Sequence, residues 1–409
     1  MDEVDGGRSP RPLSRRRVLK SVGVAAGAAA VGGGHLLSRD SPEMPRRLDS
    51  WPPDTGAATV VTGDYYDQWS TWAREAFHDR TDIEVRSYRT FAWYPSRSLG
   101  GRERPPGVLS RAFDRVTGLF TEPSARDEPD GSFDTVVTTT DSLRTAIDDG
   151  LLHPLPAEDV PSFDRVFDVF RSVGVHRTDG DVFGLPVEAQ CTPLVYNADY
   201  FERPPDSWSA LWEGADEGEV LVDTDVVYGH PELAALYAGE DPRDPDFDRL
   251  ESVLRRQRPK LVDGHDDRER PAAVERFVAE DAVVGSLSLP AVYEARFERG
   301  VPLEYVVPSE GAILNCDFSA VPTASKRPLA GLRYANWLCR PEVAARRWEL
   351  ERAVPTVPVG EHASAAVREF LAWADEGEFH LKPHLFGPEE TTTRYRRLMQ
   401  RVEEGEDGD

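Results

Sequence analysis

Cysteine is nearly absent from this chain, which has three in 409 residues. Three cysteines cannot form a framework of several disulfide bridges, so the chain is not a small disulfide-stabilised scaffold. None of the three has the C-x-x-C spacing of a zinc or redox site. At most one bridge can form, and the alternative is a set of buried free thiols at Cys191, Cys316 and Cys339.

Basic residues, and lysines above all, are also scarce. The chain has 48 Lys and Arg against 73 Asp and Glu, which gives a formal net charge of −25. Such a chain repels phosphates, and it has no basic patch with interleaved aromatic residues, so nucleic acid is excluded as a partner. Salt at about 1 M shortens the electrostatic screening length to about 3 Å, so this composition favours a high-salt environment. The lysines are Lys20, Lys260, Lys326 and Lys382.

Signature motifs of enzymes are missing too. The sequence has no G-x-S-x-G, no H-E-x-x-H and no glycine-rich phosphate loop; its glycine cluster at 27–34 belongs to the N-terminal leader. We therefore predict no catalytic residues and no cofactor, and a secreted enzyme is kept only as an alternative.

Two patterns resemble parts of metal sites but depart from them. His380 and His384 have i, i+4 spacing, but Pro383 between them is incompatible with a pair of ligands on one helix. The segment Asp244–Asp248, with aspartates at alternate positions, resembles the start of a calcium loop, yet Arg255 stands where its last acid belongs. These aspartates are predicted to precede and cap the next helix, and no metal site is predicted.

The first 40 residues resemble an export signal. Ser14–Lys20 (SRRRVLK) matches a twin-arginine motif, and Ser21–Gly34 after it is rich in Ala and Gly, too short and small-sided for a membrane span. We predict a twin-arginine signal segment over 1–40, a proline-rich linker over 41–56, and an extracellular or periplasmic location. A disordered basic leader is the alternative.

The rest of the chain alternates between strand-like and helix-like segments. Apolar runs typical of buried strands include Ala58–Thr62, Phe133–Thr138 and Val283–Leu287. An apolar stripe predicts an amphipathic helix over Asp67–Asp79. This alternation predicts parallel sheets and an α/β fold class, and roughly 350 residues are too many for one core, which predicts two lobes. The stripe consists of Trp69, Trp72, Ala73 and Phe77.

Two extended segments carry isolated polar residues, Gly184–Asn197 (GLPVEAQCTPLVYN) and Pro308–Pro322 (PSEGAILNCDFSAVP). Helix-like stretches follow them, at Pro205–Glu213 and Leu329–Leu338. The two segments resemble the crossover strands of the extracellular solute-binding proteins that serve ABC importers, in particular the spermidine/putrescine-binding group. Shorter segments resemble the same family in the same order along the chain: Phe133–Val137, Gly150–Leu155, Trp208–Trp212, Asn336–Ala344 and Val354–Pro358.

The resemblance implies a type 2 periplasmic-binding-protein fold, in which two α/β lobes are joined by two crossover strands. We expect lobe 1 over 57–187 and 309–360, lobe 2 over 188–308, a C-terminal helical segment packing on the lobes over 361–402, and an acidic tail over 403–409. The resemblance also implies a monomer that closes on a small solute and delivers it to the membrane permease subunits of an ABC importer. A sensor domain for a membrane receptor is the alternative.

The same resemblance implies ligand contacts where strands of both lobes end at a cleft. Asp317 matches a carboxylate that pairs with a ligand ammonium in polyamine-binding members, with a turn-capping role as the alternative. A second carboxylate matches Asp223 or Asp225, for which helix capping or a solvated loop is the alternative. The other expected contacts are Thr139, Asp141, Glu188, Ser288, Asn315, Tyr65 and Tyr66.

Departures from the family pattern bear on the ligand. Asn315, Asp141 and Ser288 (or a neighbour) stand where the polyamine binders have aromatic residues, which favours a more polar ligand or one bound through water. Glu188 either faces the cleft or pairs with an arginine. We predict a small, cationic, polyamine-like solute; the alternative is an anion or metal ion, which arginines or helix N-terminal amides in the cleft would indicate.

Cys191 and Cys316 lie one on each of the two segments that resemble crossover strands. If any bridge forms in this chain, the resemblance makes this pair the one to test, against buried thiols.

Overall fold

Two β-sheets, each flanked by helices, make up the described part of the protein. The structure, a computed structural model, describes residues 59–64, 67–89, 133–156, 160–172, 174, 176–222, 229–262, 270–371, 381–383 and 389–404. The predicted leader, the linker and the end of the acidic tail lie outside these residues.

In the described part of the chain, the first sheet has six strands, of which β11 and β12 run opposite to the other four. Strands β1, β2 and β3 run parallel in the order β2-β1-β3. Strand β11 is antiparallel to β3 and to β6, and β12 pairs in parallel with the first residues of β11. The strands are β1 (Thr59–Asp64), β2 (Glu84–Arg89), β3 (Thr135–Thr139), β6 (Leu185–Thr192), β11 (Ala312–Ala320) and β12 (Leu381–Pro383).

The second sheet has the strand order β10-β7-β9-β8. Its two parallel strands are β8 (Val220–Leu221) and β9 (Val284–Ser286), while β7 (Leu194–Asn197) is antiparallel to β9. Strand β10 (Leu303–Val306) is antiparallel to β7 and forms one edge of the sheet. A separate hairpin consists of β4 (Arg177–Thr178) and β5 (Asp181–Val182).

Helices alternate with these strands, as predicted for an α/β protein. They are α1 (Asp67–Thr81), α2 (Thr140–Asp148), α3 (Asp168–Arg171), α4 (Ala210–Glu213), α5 (His230–Ala238), α6 (Phe247–Gln257), α7 (Arg270–Val278), α8 (Leu289–Tyr293), α9 (Pro328–Leu338), α10 (Pro341–Glu351), α11 (Ala365–Phe370) and α12 (Glu389–Glu404). The chain of α8 continues as a π-helical turn over Glu294–Glu298, and short 3₁₀ turns lie at Phe163–Arg165, Arg258–Lys260 and Gly360–His362.

Within the described residues, the chain passes directly from a strand of one sheet to a strand of the other at two places. Strand β6 belongs to the first sheet and β7 to the second, and only Pro193 separates them. Proline has no backbone N–H, so the ladder is interrupted at this position. Strand β10 belongs to the second sheet and β11 to the first, and residues 307–311 connect them. We call Pro193 the first link and residues 307–311 the second link.

The second link is anchored by residues that precede α4. The Trp208 indole N–H donates to the Gly311 carbonyl at 2.7 Å, and the Ser207 hydroxyl donates to Glu310 Oε1 at 2.5 Å. The backbone N–H of Ser309 donates to the carbonyl of Asp206 at 2.9 Å. These residues hold the link instead of continuing a helix, so the helix is shorter than the predicted Pro205–Glu213.

The predicted apolar stripe packs helix α1 against helix α9. Trp69 and Phe77 are fully buried, and the ring of Phe77 lies edge-on to Tyr334 of α9, with centroids 5.1 Å apart. Gly331 lets α9 approach strand β3 closely, because a Cβ atom at this position would lie 2.0 Å from the carbonyl oxygen of Asp134. The prediction of an amphipathic helix here is confirmed.

The C-terminal segment differs from the predicted arrangement. It contains strand β12, which extends the first sheet, in addition to helices. Helix α12 packs against the second-sheet side: the Tyr395 hydroxyl donates to the Pro242 carbonyl at 2.6 Å, and Arg401 Nε lies 2.8 Å from Glu251 Oε2. Strand pairing of β6 also extends to Thr192, past the expected lobe limit at 187.

Candidate functional site

The carboxyl ends of the parallel strands in both sheets point toward the links. In the first sheet, Thr139 at the end of β3 pairs with Asp317 of β11. The residues of β11 before Asp317 extend past the end of β3, and they directly follow the second link. In the second sheet, Leu194 beside the first link pairs with Ser286 at the end of β9 and with Val306 of β10. In open α/β sheets, ligands bind beyond the carboxyl ends of the strands. These facing edges are therefore the candidate site.

Asp317 lies at this edge of the first sheet and is 3% exposed. In the antiparallel register it stands opposite Thr139 on one side and opposite Glu188 on the other. Residues directly opposite on antiparallel strands have side chains on the same face of the sheet. The structure thus brings together three of the residues that the sequence predicted for the site.

Helix α2 begins at the same point and is fastened to β11. The Thr140 hydroxyl donates to the carbonyl of Cys316 at 3.0 Å, and the backbone N–H of Cys316 lies 3.3 Å from the same hydroxyl. Thr140 therefore fixes the backbone beside Asp317. Sequence reasoning missed this residue, because only the antiparallel pairing of β3 and β11 brings it to Cys316.

Glu188 is held in a buried ion pair. Its Oε2 atom lies 2.6 Å from Nη2 of Arg347 on α10, and both side chains are 2% exposed. The guanidinium also lies 3.7 Å from Glu351 and over the ring of Trp69, with 5.1 Å between Cζ and the ring centroid. The Trp69 backbone N–H donates to Glu351 at 3.2 Å. Of the two roles considered for Glu188, the structure has the pairing with an arginine.

Arg347 is the residue that sequence reasoning missed here. It follows Glu188 by more than 150 positions, and nothing in its local pattern singles it out among the arginines of an amphipathic helix. A buried acid on a strand does, however, require a nearby cation or a hydrogen-bond donor. That requirement was the signal that could have led to a search for an arginine on a covering helix.

Ser288 lies at the corresponding edge of the second sheet. It follows β9, adopts an extended conformation before α8, and is half-buried without forming a side-chain capping bond to that helix. Gly229, before α5, lies close to β11: a Cβ atom there would be 3.6 Å from Cγ1 of Ile313. Helix α5 of the second-sheet side therefore approaches β11 next to this edge.

The other predicted contacts lie partly or wholly outside the described residues. Asn315 is placed in β11 opposite Gln190, and Asp141 in the first turn of α2, but their side chains are outside the description. The remaining four, Asp223, Asp225, Tyr65 and Tyr66, lie outside the described residues entirely. So do the histidines at 380 and 384.

The structure also decides one local prediction. The Asp246 carboxylate accepts hydrogen bonds from the backbone N–H groups of Asp248 and Arg249, both at 3.1 Å, so the predicted capping of α6 is confirmed. Among the described residues, no group of three or more His, Cys, Asp and Glu side chains could hold a metal ion.

All three cysteines are free, buried thiols. Cys191 stands opposite Leu314 and Cys316 opposite Ala189, so the two cysteines are offset by two residues on neighbouring strands. Diagonal neighbours of this kind are about 7–8 Å apart, too far for the Cβ separation of about 3.5–4.5 Å in a disulfide. Burial raises the pKa of the Cys191 thiol to about 12, so this thiol is protonated and unreactive.

Helices long and apolar enough to span a bilayer are not found among the described residues.

Comparisons with known proteins agree with this geometry. A family model described as "Bacterial extracellular solute-binding protein" matches residues 119–367. The spermidine/putrescine-binding periplasmic protein of Escherichia coli (strain K12) is 23% identical over 255 residues, covering 59% of this chain and 71% of that protein. The spermidine/putrescine-binding periplasmic protein 1 of Haemophilus influenzae is 26% identical over 173 residues, covering 41% of this chain and 46% of that protein.

Solved structures share the fold. The substrate-binding protein of a spermidine/putrescine ABC transporter from Streptococcus pneumoniae, in complex with calcium and HEPES, has a TM-score of 0.62 at 16% identity, covering 85% of this chain and 99% of that one. A Trichodesmium protein in complex with iron and citrate has a TM-score of 0.56 at 12% identity, covering 84% and 99%. The predicted periplasmic-binding-protein fold of the α/β class is thereby confirmed.

The neighbours that share this fold carry different ligands, so the fold alone does not identify the solute. The family match, by contrast, extends over more than half of the chain and includes both links. The chain belongs to the family of bacterial extracellular solute-binding proteins.

Proposed function

We propose that this solute-binding protein captures a small, cationic, polyamine-like solute between the facing edges of its two sheets. The observation that carries the proposal is the position of Asp317. It is a buried carboxylate on β11, at the edge of the first sheet where β3 ends. A desolvated ammonium group needs an anionic partner that accepts hydrogen bonds, and a carboxylate at this edge supplies one.

Charge at the same edge supports a cation over an anion. The Arg347 guanidinium lies next to Glu188, the residue opposite Asp317, and forms ion pairs with Glu188 and Glu351. The charge of this guanidinium is therefore neutralised within the protein core, and the group is not available to bind an anion. The names of the curated relatives, which are spermidine/putrescine-binding proteins, agree with a cationic solute.

Hydroxyl groups at the two edges support a polar pocket. Thr139 ends β3 beside Asp317, and Ser288 follows β9 in the second sheet. A ligand that contacts both edges is held by hydrogen bonds from both sheets. Asp223, Asp225, Tyr65 and Tyr66 follow β8 and β1 along the chain and remain predicted contacts.

The mechanism that we propose is closure about the two links. Each link is short and joins strands of different sheets, so a small change of backbone angles at the link or beside it reorients one sheet relative to the other. A ligand stabilises the closed form only by binding it more tightly than the open form, so it must touch both lobes. In this proposal the first hinge lies at Pro193, and the lobe limits otherwise follow the sequence prediction.

We further propose that the protein acts as an exported monomer. The twin-arginine motif at 14–20 directs it out of the cytoplasm, and membrane permease subunits of an importer recognise its closed form. The net charge of −25 supports a high-salt environment and argues against nucleic acid as a partner. Size-exclusion chromatography at several salt concentrations tests the monomer and the salt requirement.

The solute is tested by isothermal titration calorimetry of spermidine and putrescine against the wild-type protein and Asp317→Asn. We expect the variant to bind at least tenfold more weakly, which corresponds to about 1.4 kcal/mol, because an amide cannot neutralise an ammonium. Asp164→Asn makes the same change at an exposed aspartate and serves as the matched control.

A thermal-shift screen of amino acids, phosphate and ferric citrate alongside the polyamines covers the other ligand classes, since a bound solute raises the melting temperature. Equal affinity of wild type and Asp317→Asn for a polyamine, or stabilisation by an anion alone, contradicts the proposal.

A further inference from the structure

A cavity lies on the outer side of strand β10, at one edge of the second sheet. Its volume is about 350 Å³, and it lies between β10, the π-helical turn after α8, and the end of α11. We call it the β10 cavity. The side chains that give it its chemistry are Arg296, Phe297, Glu304, Tyr305, Glu369 and Phe370.

The π-helical turn shapes one wall of the cavity. The backbone N–H of Arg299 donates to the carbonyl of Glu294 at 3.0 Å, which is the i+5 pattern of a π-helix. Turns of this kind are uncommon and occur frequently at functional sites. Here the turn presents Arg296 and Phe297 in succession toward β10, where Arg296 forms an ion pair with Glu304.

Aromatic rings form the apolar part of the cavity. Phe297 is 36% exposed, and only Val278 accompanies it as an exposed large hydrophobic side chain in the described part of the chain. Its ring lies edge-on to that of Phe370, with centroids 6.0 Å apart, and the ring of Tyr305 lies 5.2 Å from that of Phe370. An aromatic ring left open to solvent beside a cavity is a surface that a ligand can cover.

The charges around the cavity sum to an excess of one negative charge. Arg296 pairs with Glu304 and lies 4.0 Å from Glu369, so two carboxylates share one guanidinium. The Glu369 side chain is 73% exposed and is the outermost of the three. A bound group with one positive charge would balance the set, whereas an anion would be repelled.

We propose that the β10 cavity binds a small organic monocation with an apolar body. Its ammonium group pairs with Glu369, the outermost carboxylate, and its apolar body covers the rings of Phe297 and Phe370. Arg296 Cζ already lies 5.2 Å from the centroid of the Phe297 ring, so this ring interacts with a cation in the structure itself. A volume of about 350 Å³ is at the lower end of the range for small-molecule pockets and suits a ligand of this size.

This cavity is separate from the proposed solute site. Ser288 directly precedes α8, which leads to the π-helical turn, so Arg296 lies about 12 Å along the helix from Ser288. The cavity is lined by residues that come before and after the second link in the chain. The Tyr305 hydroxyl donates to the Phe370 carbonyl at 2.5 Å, and Val307, which also lines the cavity, belongs to the link. The proposal does not depend on the identity of the transported solute.

The experiment uses phenethylammonium as the probe in ligand-observed NMR titrations of the full chain. The anion 3-phenylpropionate and the neutral 2-phenylethanol have a similar shape and separate charge from apolar contact. We expect saturable binding of phenethylammonium with a Kd in the millimolar range or below and at least fivefold weaker binding of the other two. Glu369→Gln and Phe297→Ala each weaken binding at least threefold, and both positions are exposed, so the fold is retained.

Two matched controls make the outcome decisive. Glu217→Gln removes the same charge from an exposed residue before β8, at the opposite edge of the second sheet, and should leave the affinity unchanged. Asp317→Asn should also leave it unchanged. Absence of saturable binding up to about 10 mM, equal binding of the anion, or loss of binding in Asp317→Asn with retention in Glu369→Gln overturns the proposal. The last result would place the probe in the proposed solute site instead.

Discussion

Replacing Arg347 by methionine removes the guanidinium that lies 2.6 Å from the Glu188 carboxylate in a region where both side chains are 2% exposed. We expect the free energy of unfolding to fall by about 3–5 kcal/mol, because the carboxylate then stays in the core without this cation. The cation–π contact with Trp69 is lost as well. Methionine retains much of the length of the arginine stem, so the loss of packing contributes little.

A neighbouring arginine provides the control for this experiment. Arg346 lies on the same helix and pairs with Glu349 at 2.7 Å, but the two side chains are 41% and 53% exposed. Surface pairs of this kind contribute about 0–1 kcal/mol, so Arg346→Met should change stability little. Urea denaturation followed by tryptophan fluorescence measures both variants at the same salt concentration, and unchanged m-values show that the extent of unfolding is comparable.

A double variant tests the reason for the loss. Glu188→Gln combined with Arg347→Met removes both charges, so the loss should be smaller than that of Arg347→Met alone. If Arg347→Met costs no more than Arg346→Met, the Glu188 carboxylate is solvated and the argument from burial is wrong. Glu188→Gln is also measured alone. If its loss and that of Arg347→Met simply add in the double variant, the two residues do not interact and the ion pair is not formed in solution.

Two further predictions concern the first-sheet core. Burial, and to a smaller extent the charge of Arg177, lowers the pKa of His176 to about 4, while its unfolded value is near 6.5. The unfolded chain therefore binds the proton first, so stability is lost as the pH falls from about 6.5 to 4, by up to about 3 kcal/mol. His176→Phe, between the rings of Phe163 and Phe318, should flatten this part of the profile, and an identical slope in urea titrations at each pH would contradict the assignment. Gly331→Ala should lower the free energy of unfolding by about 1–3 kcal/mol, since its Cβ would lie 2.0 Å from the Asp134 carbonyl oxygen. An unaffected melting curve would mean that α9 can move away from β3 without loss.

Local periodicity was enough to predict several elements of the fold. The stripe of Trp69, Ala73 and Phe77 at helical spacing predicted α1, and burial confirms it. The apolar run before Thr139 predicted β3 within one or two residues. These predictions succeed because a helix or strand that buries one face must repeat apolar residues at its own period.

The resemblance predicted which segments connect the two sheets, but not the residue at which a segment passes from one sheet to the other. The first predicted segment, Gly184–Asn197, is split between two sheets at Pro193, whereas the second, Pro308–Pro322, includes β11 of the first sheet but not β10 of the second. Most side chains of Gly184–Asn197 are buried on both sides of Pro193, in β6 as well as in β7. A continuous apolar pattern therefore carries no sign of where the pairing partner changes.

Charge, the scarcity of cysteine and the order of strand-like and helix-like segments were determined by the sequence itself: an acidic α/β chain without a disulfide framework. The tertiary structure alone decided which distant residues meet. It placed Arg347 against Glu188, Asp317 beside Thr139, Cys191 two residues out of register with Cys316, and Phe297 against Phe370 at the β10 cavity. Composition and periodicity depend on each residue and its near neighbours in the chain. Contacts across a sheet depend on register between strands, which long-range pairing sets and local sequence does not record.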